Sequence, residues 1–255
     1  KRLLVAGAPC TPFSARGRRR KTKDPVFSTH KAMYEKIKNH FDAAILENVP
    51  EYKPALARKM LPPCWHVTSM RLDPRAFGFG AARPRVYILM YNTAVLKWDE
   101  GCADFKELLL ELGARPQMTA GDYLWDGAPV RRALSDAQVR NKQLYEKNYP
   151  RLRVYDLSQN GATRFGRGNT REGSLSTLTR NSGAFYDKAR RRLLSGRELY
   201  ASLVLPTIPA HATKAKAPRY KTELWSEQKL AETAGNSMSV PCVGGSLLVS
   251  LMGLR

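Results

Sequence analysis

The chain has 255 residues, with 43 Lys plus Arg against 22 Asp plus Glu and a formal charge of +21. The length allows one large or two small domains with a real core, and a hydrophobic share of 43% excludes a chain that is disordered throughout. The charge points to a polyanionic partner, nucleic acid first; a ribosomal-type or membrane-surface protein without chemistry is the alternative that charge does not separate.

The four cysteines, Cys10, Cys64, Cys102 and Cys242, make no Cys-x-x-Cys pair. Cys64-Trp65-His66 is too close-set for zinc and lacks two further ligands, so no metal is expected. Nothing reads as a disulfide framework, a signal peptide or a bilayer span. A reducing intracellular compartment is the expectation, the nucleus if the source is eukaryotic. The start at Lys1-Arg2, leading straight into a strand, fits a fragment or a domain of a longer protein.

In chain order, residues 2–7 read as a strand around Leu3-Leu4-Val5-Ala6, followed at once by Gly7-Ala8-Pro9-Cys10-Thr11-Pro12-Phe13-Ser14. The thiol thus falls where a strand becomes a loop, which is where open α/β sheets bind ligands. A cysteine there is a nucleophile if positive charge stabilises its thiolate, although a single cysteine is more often a small core residue. Residues 14–26 form a basic loop containing Arg16, Arg18, Arg19, Arg20, Lys21 and Lys23. Residues 27–41 predict a helix with Met33, Ile37 and Phe41 on one face. A second strand over 42–46 ends at Glu47-Asn48-Val49-Pro50. A short helix over 54–61, a strand over 65–72 and a strand over 86–90 complete an α/β pattern with a mostly parallel sheet in residues 1–98. Residues 99–175 hold helical pieces at 105–112 and 133–145, then a polar stretch at 158–176, and read as a smaller, loop-rich recognition region. Residues 176–255 return to order. Here a helix with its exit spans 191–205, a basic loop spans 209–221, and a last helix spans 240–251 with Pro241 in its first turn. Val240, Val243, Leu247 and Leu251 share one face of that helix. The chain shows no internal repeat.

Four separated segments fit one family. Ala8-Pro9-Cys10-Thr11-Pro12-Phe13-Ser14 resembles the nucleophile motif of the cytosine-C5 DNA methyltransferases. Glu47-Asn48-Val49 is similar to their Glu-Asn-Val motif, and Phe77 to Val86 to their Arg-x-Arg motif before a strand. Gly235-Asn236-Ser237-Met238-Ser239-Val240-Pro241 resembles their C-terminal Gly-Asn-Ser-x-x-Val-Pro motif. A weaker likeness covers Thr177-Leu178-Thr179-Arg180 and Arg192 to Glu198. Each string is short; their shared order over nearly the whole chain makes the resemblance specific.

The resemblance implies a partial Rossmann-like methyltransferase sheet with helices (α/β), plus a smaller target-recognition domain. Residues 1–98 would be the catalytic half, 99–175 the target-recognition region and 176–255 a return to the catalytic domain. It implies methyl transfer from S-adenosylmethionine to C5 of a cytosine flipped out of duplex DNA. Cys10 would add to C6 and Glu47 would contact N3 and the exocyclic amine. Arg85, with Arg83, would bind near base and thiolate and favour the ionised thiol. Pro9, Asn236 and Ser237 would touch the cofactor. Ser14, Arg16, Arg18, Arg19, Arg20, Lys21 and Arg180 would meet nucleic acid. Taken singly, each residue has a plainer reading. Glu47 can be a solvated or paired carboxylate, Arg83 and Arg85 phosphate contacts, Asn236 a cap, Pro9 a turn former, and the basic loop a charge run of unspecific affinity.

The chain departs from the family pattern in three places. No Phe-x-Gly-x-Gly segment precedes the cysteine motif, so the given chain is expected to lack most of the cofactor pocket, the missing half being an additional N-terminal segment, a second subunit, or lost altogether. Thr11 replaces a common glutamine, and Gly80-Ala81 replaces a common Pro-Gln pair. The alternatives are a DNA-binding or regulatory remnant without catalysis and a transfer-RNA cytosine methyltransferase.

Overall fold

The computed structural model describes all residues except 15–19, 112–116, 129–132, 163–172, 179–183, 208, 215, 217 and 219–220, together with the side chains of 106, 110, 111 and 211. Arg16, Arg18, Arg19 and Arg180 therefore lie outside the described residues. The chain divides into two compact units. The first comprises residues 1–73, 84–114 and 242–255, and the second residues 74–83 and 115–241. The tail expected to return to the catalytic part is shared, with 176–241 in the second unit and 242–255 in the first.

The first unit is built on a four-stranded sheet in the order β1-β2-β4-β3. Its strands are β1 (Leu3–Gly7), β2 (Ala43–Asn48), β3 (Trp65–Leu72) and β4 (Arg85–Asn92). Every residue of β2 is buried, as its apolar run Ala-Ala-Ile-Leu demands of an inner strand. β1 and β2 run parallel in a register that sets Leu3 beside Ala43 and Gly7 beside Glu47. The expectation of a mostly parallel sheet fails beyond this pair: β4 is antiparallel to both β2 and β3. The segment between β3 and β4 contains only a 3-10 turn (Pro74–Phe77) and no crossover helix, so it cannot carry the chain back for a parallel strand.

α1 (Phe27–His40) crosses from β1 to β2 and α2 (Ala55–Met60) follows β2. α1 buries Phe27, His30, Tyr34 and Ile37, spaced three or four apart; of the expected face, Ile37 is fully buried and Met33 packs half-buried against the core, while Phe41 lies just past the helix end. These side chains join Phe13, Leu46, Tyr52, Val67 and Ile88 in one apolar core. Tyr34 and Tyr52 share a hydrogen bond of 2.6 Å inside it, and burial pushes the pKa of both hydroxyls up. A short helix, α3 (Phe105–Glu111), follows the sheet.

The second unit contains a three-stranded antiparallel sheet, in the order β5 (Val154–Asp156), β6 (Phe185–Asp187) and β7 (Arg192–Leu193). Its helices are α4 (Asp136–Asn148), α5 (Gly196–Ala201), α6 (Pro209–Lys214) and α7 (Glu227–Asn236). The helix expected over 191–205 is instead β7 followed by the short α5, and the expected loop at 209–221 begins with α6. The strands β5 to β7 are too short for a period-2 pattern to stand out in sequence. α5 and α7 pack closely, and a Cβ on Gly196 would run into Leu230.

The last helix, α8 (Val240–Gly253), has the expected span but a different inward face. Cys242, Ser246, Val249, Ser250 and Gly253 are buried, whereas Val240, Leu248, Leu251 and Met252 are exposed. Ser246 and Ser250 hydroxyls donate to carbonyls one turn back, at 2.8 and 2.7 Å, so their burial leaves no unpaired donor. Among the described residues, no helix is long and apolar enough to cross a membrane, and no group of three His, Cys, Asp or Glu side chains is placed to hold a metal ion.

Candidate active site

In the first unit the thiol-bearing loop leaves β1 beside the acidic end of β2. Gly7, the last residue of β1, is the register neighbour of Glu47. Cys10 follows three residues later and carries a free, exposed thiol. Its own carbonyl closes a tight turn, accepting from the Phe13 N–H at 2.9 Å and the Ser14 N–H at 2.8 Å. The Lys21 N–H donates to the Pro12 carbonyl at 3.0 Å, tying the far side of the loop down. Lys21 holds a φ of 52°, in the left-handed region that side-chain-bearing residues seldom occupy.

Two side chains from neighbouring elements hold the Pro-Cys backbone from below. Asn48 Nδ2 donates to the Ala8 carbonyl at 3.2 Å, while its Oδ1 accepts from the Val49 N–H at 2.9 Å. His30 Nε2 lies 2.8 Å from the Pro9 carbonyl and so acts as donor to it. The imidazole is fully buried between Phe27 and Tyr52, with stacked ring centroids 5.5 and 5.6 Å away, and meets Phe13 edge-on at 5.4 Å. Its Nδ1 has no hydrogen-bond partner among the described residues. Burial pulls the His30 pKa below its usual value, outweighing the opposing hydrogen bond to Pro9.

Glu47 and Arg85 meet at the same end of the sheet. The Arg85 Nε is 2.9 Å from Glu47 Oε1, and both side chains are largely buried. Arg85 also donates from Nη1 to the Pro84 carbonyl at 2.8 Å. Three of the sequence-predicted residues, Cys10, Glu47 and Arg85, therefore belong to one unit and to one end of the β1-β2-β4 sheet. Ser14 is half-buried in the Cys10 turn, and Arg20 and Lys21 are exposed just beyond it.

Arg83, Asn236 and Ser237 belong to the second unit. Arg83 is buried, and its guanidinium donates to the carbonyls of Leu178 and Gly235, both at 3.3 Å. It thereby braces the Gly-Asn-Ser segment. Asn236 ends α7 and is exposed. The Ser237 hydroxyl donates to the Thr233 carbonyl at 2.9 Å. Gly80, at one of the departures from the family pattern, has a structural reason. A Cβ there would overlap the Thr119 backbone, and the Gly80 N–H donates to the Tyr123 hydroxyl at 3.0 Å. The sequence reading missed His30 and the bracing role of Asn48. A histidine on the apolar face of the helix after the Pro-Cys motif was the available signal.

No protein-family model and no curated protein matches the chain in sequence. Solved structures match it in shape. It is similar to the Entamoeba histolytica methyltransferase EhMeth, at 13% identity, covering 98% of this chain and 77% of that one with a TM-score of 0.64. It is similar to the S. pombe Dnmt2 methyltransferase, at 18% identity, covering 98% and 78% with a TM-score of 0.56. A putative DNA modification methyltransferase encoded within an E. coli prophage aligns at 13% identity, covering 98% and 78% with a TM-score of 0.55. The chain thus has the mixed α/β fold of these methyltransferases, the fold that its motifs imply.

Proposed function

We propose that the chain is a cytosine-C5 methyltransferase acting on nucleic acid, with Cys10 as the nucleophile. The supporting observation is that an exposed thiol on a hydrogen-bonded turn leaves the sheet at the register position of Glu47, whose carboxylate is paired with Arg85. The Cys10 thiolate adds to C6 of an extruded cytosine, and the electron pair of the C5–C6 bond moves toward C5. Glu47 steadies the N3 and amine edge as the ring gains charge, and Arg85 holds Glu47 in place. A bound S-adenosylmethionine would supply the methyl group that C5 takes up; loss of the C5 proton to a base and of the sulfur from C6 would then restore the C5–C6 double bond. The +21 charge supplies unspecific attraction to the phosphate backbone.

The resemblance implies S-adenosylmethionine as methyl donor. Of the residues that would touch it, Pro9 belongs to the first unit and Asn236 and Ser237 to the second. The Pro9 carbonyl accepts from His30, the Ser237 hydroxyl donates to Thr233, and Asn236 is exposed. The addition step draws only on residues of this chain.

The test needs no methyl donor. In 5-azacytosine the ring nitrogen at position 5 can take a proton after thiolate addition, which leaves the sulfur bonded at C6. Duplex DNA carrying this base should form a denaturation-resistant adduct with the chain, mapped to the Cys10 peptide and absent in Cys10→Ser. No adduct on DNA or on structured RNA refutes catalysis and leaves the remnant reading. An adduct on structured RNA alone moves the substrate to RNA.

A further inference from the structure

We infer a second nucleic-acid contact in the second unit: the turn carrying Leu224 and Trp225 is a stacking wedge for an unstacked base, set among lysines that hold the phosphate backbone. The inference rests on the nucleic-acid substrate class proposed above but uses none of the residues placed at Cys10.

The turn is anchored at both ends. Thr222 is buried, and its carbonyl accepts from the Trp225 N–H at 3.1 Å. The Ser226 hydroxyl then accepts from the Lys229 N–H at 3.2 Å and caps α7, which sinks Leu230, Ala231 and Ala234 into the core. Two large apolar side chains are nevertheless held outward between these anchors. Leu224 is 92% exposed and Trp225 46% exposed. Single exposed apolar residues are ordinary, but an adjacent Leu-Trp pair on a pinned turn is a surface awaiting a partner.

The chemistry around the pair selects that partner. Lys214, Lys216, Lys221 and Lys229 are all exposed on the stretch of chain before the turn and on the helix after it, against Glu223 on the turn and Glu227 and Glu232 on the helix, where the Glu227 carboxylate already accepts from the Gly196 N–H. An indole beside flexible cations suits a base face with a phosphate on either side, because stacking is tolerant of base identity while the lysines neutralise the backbone. Leucine beside it has the shape of the apolar wedges that separate base steps. An apolar or acidic protein surface would match only one half of this arrangement.

The experiment uses the full chain and fluorescein-labelled oligonucleotides: a single strand, a plain duplex and a duplex with one bulged base. Anisotropy is measured from roughly 50 to 200 mM salt. Trp225→Ala should weaken binding to the single strand and the bulged duplex by roughly 5- to 150-fold, leave the salt slope unchanged, and be rescued by Trp225→Phe. Replacing Lys214, Lys216 and Lys221 by Ala should instead flatten the salt slope by roughly 0.7 to 0.9 for each phosphate that is no longer neutralised. Because the tryptophan is half exposed, far-UV circular dichroism should be native in every variant. Unchanged affinity in both Trp225→Ala and Leu224→Ala overturns the inference, as does a wild-type chain that binds no oligonucleotide. The Cys10 adduct reads the function separately. An adduct with Trp225-independent binding removes only the wedge, and Trp225-dependent binding without an adduct removes only the catalysis.

Discussion

Glu198→Gln should cost the protein about 3–5 kcal/mol of stability. The Glu198 carboxylate is fully buried at the start of α5 and accepts four hydrogen bonds. Arg192 supplies two, at 2.8 and 2.7 Å, and the Trp125 and Ser195 N–H groups supply one each at 2.8 Å. The carboxylate in turn holds the Arg192 pKa above its usual value. Glutamine keeps one acceptor oxygen but sets an NH2 against the Arg192 Nη1 and Ser195 N–H groups that had met Oε2. An orphaned buried N–H alone costs about 1–3 kcal/mol, and Arg192, only 9% exposed, loses its counter-charge. These losses overlap rather than add. Urea unfolding followed by circular dichroism should show the drop as a lower midpoint with an unchanged slope, and heating should lower Tm by roughly 6–20 °C. The double variant Arg192→Met/Glu198→Gln should recover much of the loss, because no charge is then stranded. A single-variant loss below about 1 kcal/mol, or a double variant no better than the single one, refutes this account of the buried pair.

Three further outcomes are expected. His30 is neutral in the fold with a lowered pKa, so its share of stability is present above the usual 6.5 and is lost as pH falls through the folded value. His30→Phe should flatten that acid limb while changing stability at neutral pH by no more than about 1 kcal/mol, and an unchanged limb in a pH series of urea melts contradicts the assignment. Gly80→Ala should destabilise by about 1–3 kcal/mol in the same melts, since the Thr119 backbone must move to admit the methyl group. On α8, Val249→Ala should cost about 2 kcal/mol and Leu251→Lys less than about 0.5, the reverse of what the apolar face read from sequence would give.

The strand and helix spans of residues 1–98 were legible because each is long enough to show its period or its buried run. The strand expected over 65–72 is β3 to the residue, and the strand before Pro9 and the strand ending at Glu47 differ from expectation by a residue or two. The placing of Cys10, Glu47 and Arg85 at one end of the sheet was announced by short motif strings in a shared order rather than by any period. The short strands β5 to β7 and helix α6 were missed, since two- to six-residue elements are stabilised by tertiary contacts rather than by pattern. The face of α8 was misread because Ser246 and Ser250 satisfy their hydroxyls within the helix and can be buried like small apolar residues.

By itself the amino-acid order determined which residues carry reactive groups, where the α/β pattern runs and what sign of partner the surface attracts, because these depend on side-chain type and local spacing. Only the tertiary structure decided the antiparallel turn of the sheet, the pairing of Glu47 with Arg85 and the burial of His30 beneath Pro9. It also decided that Arg83 braces Gly235. Those are relations between residues 21 to 152 positions apart, created by strand register and core packing that no local stretch of sequence contains.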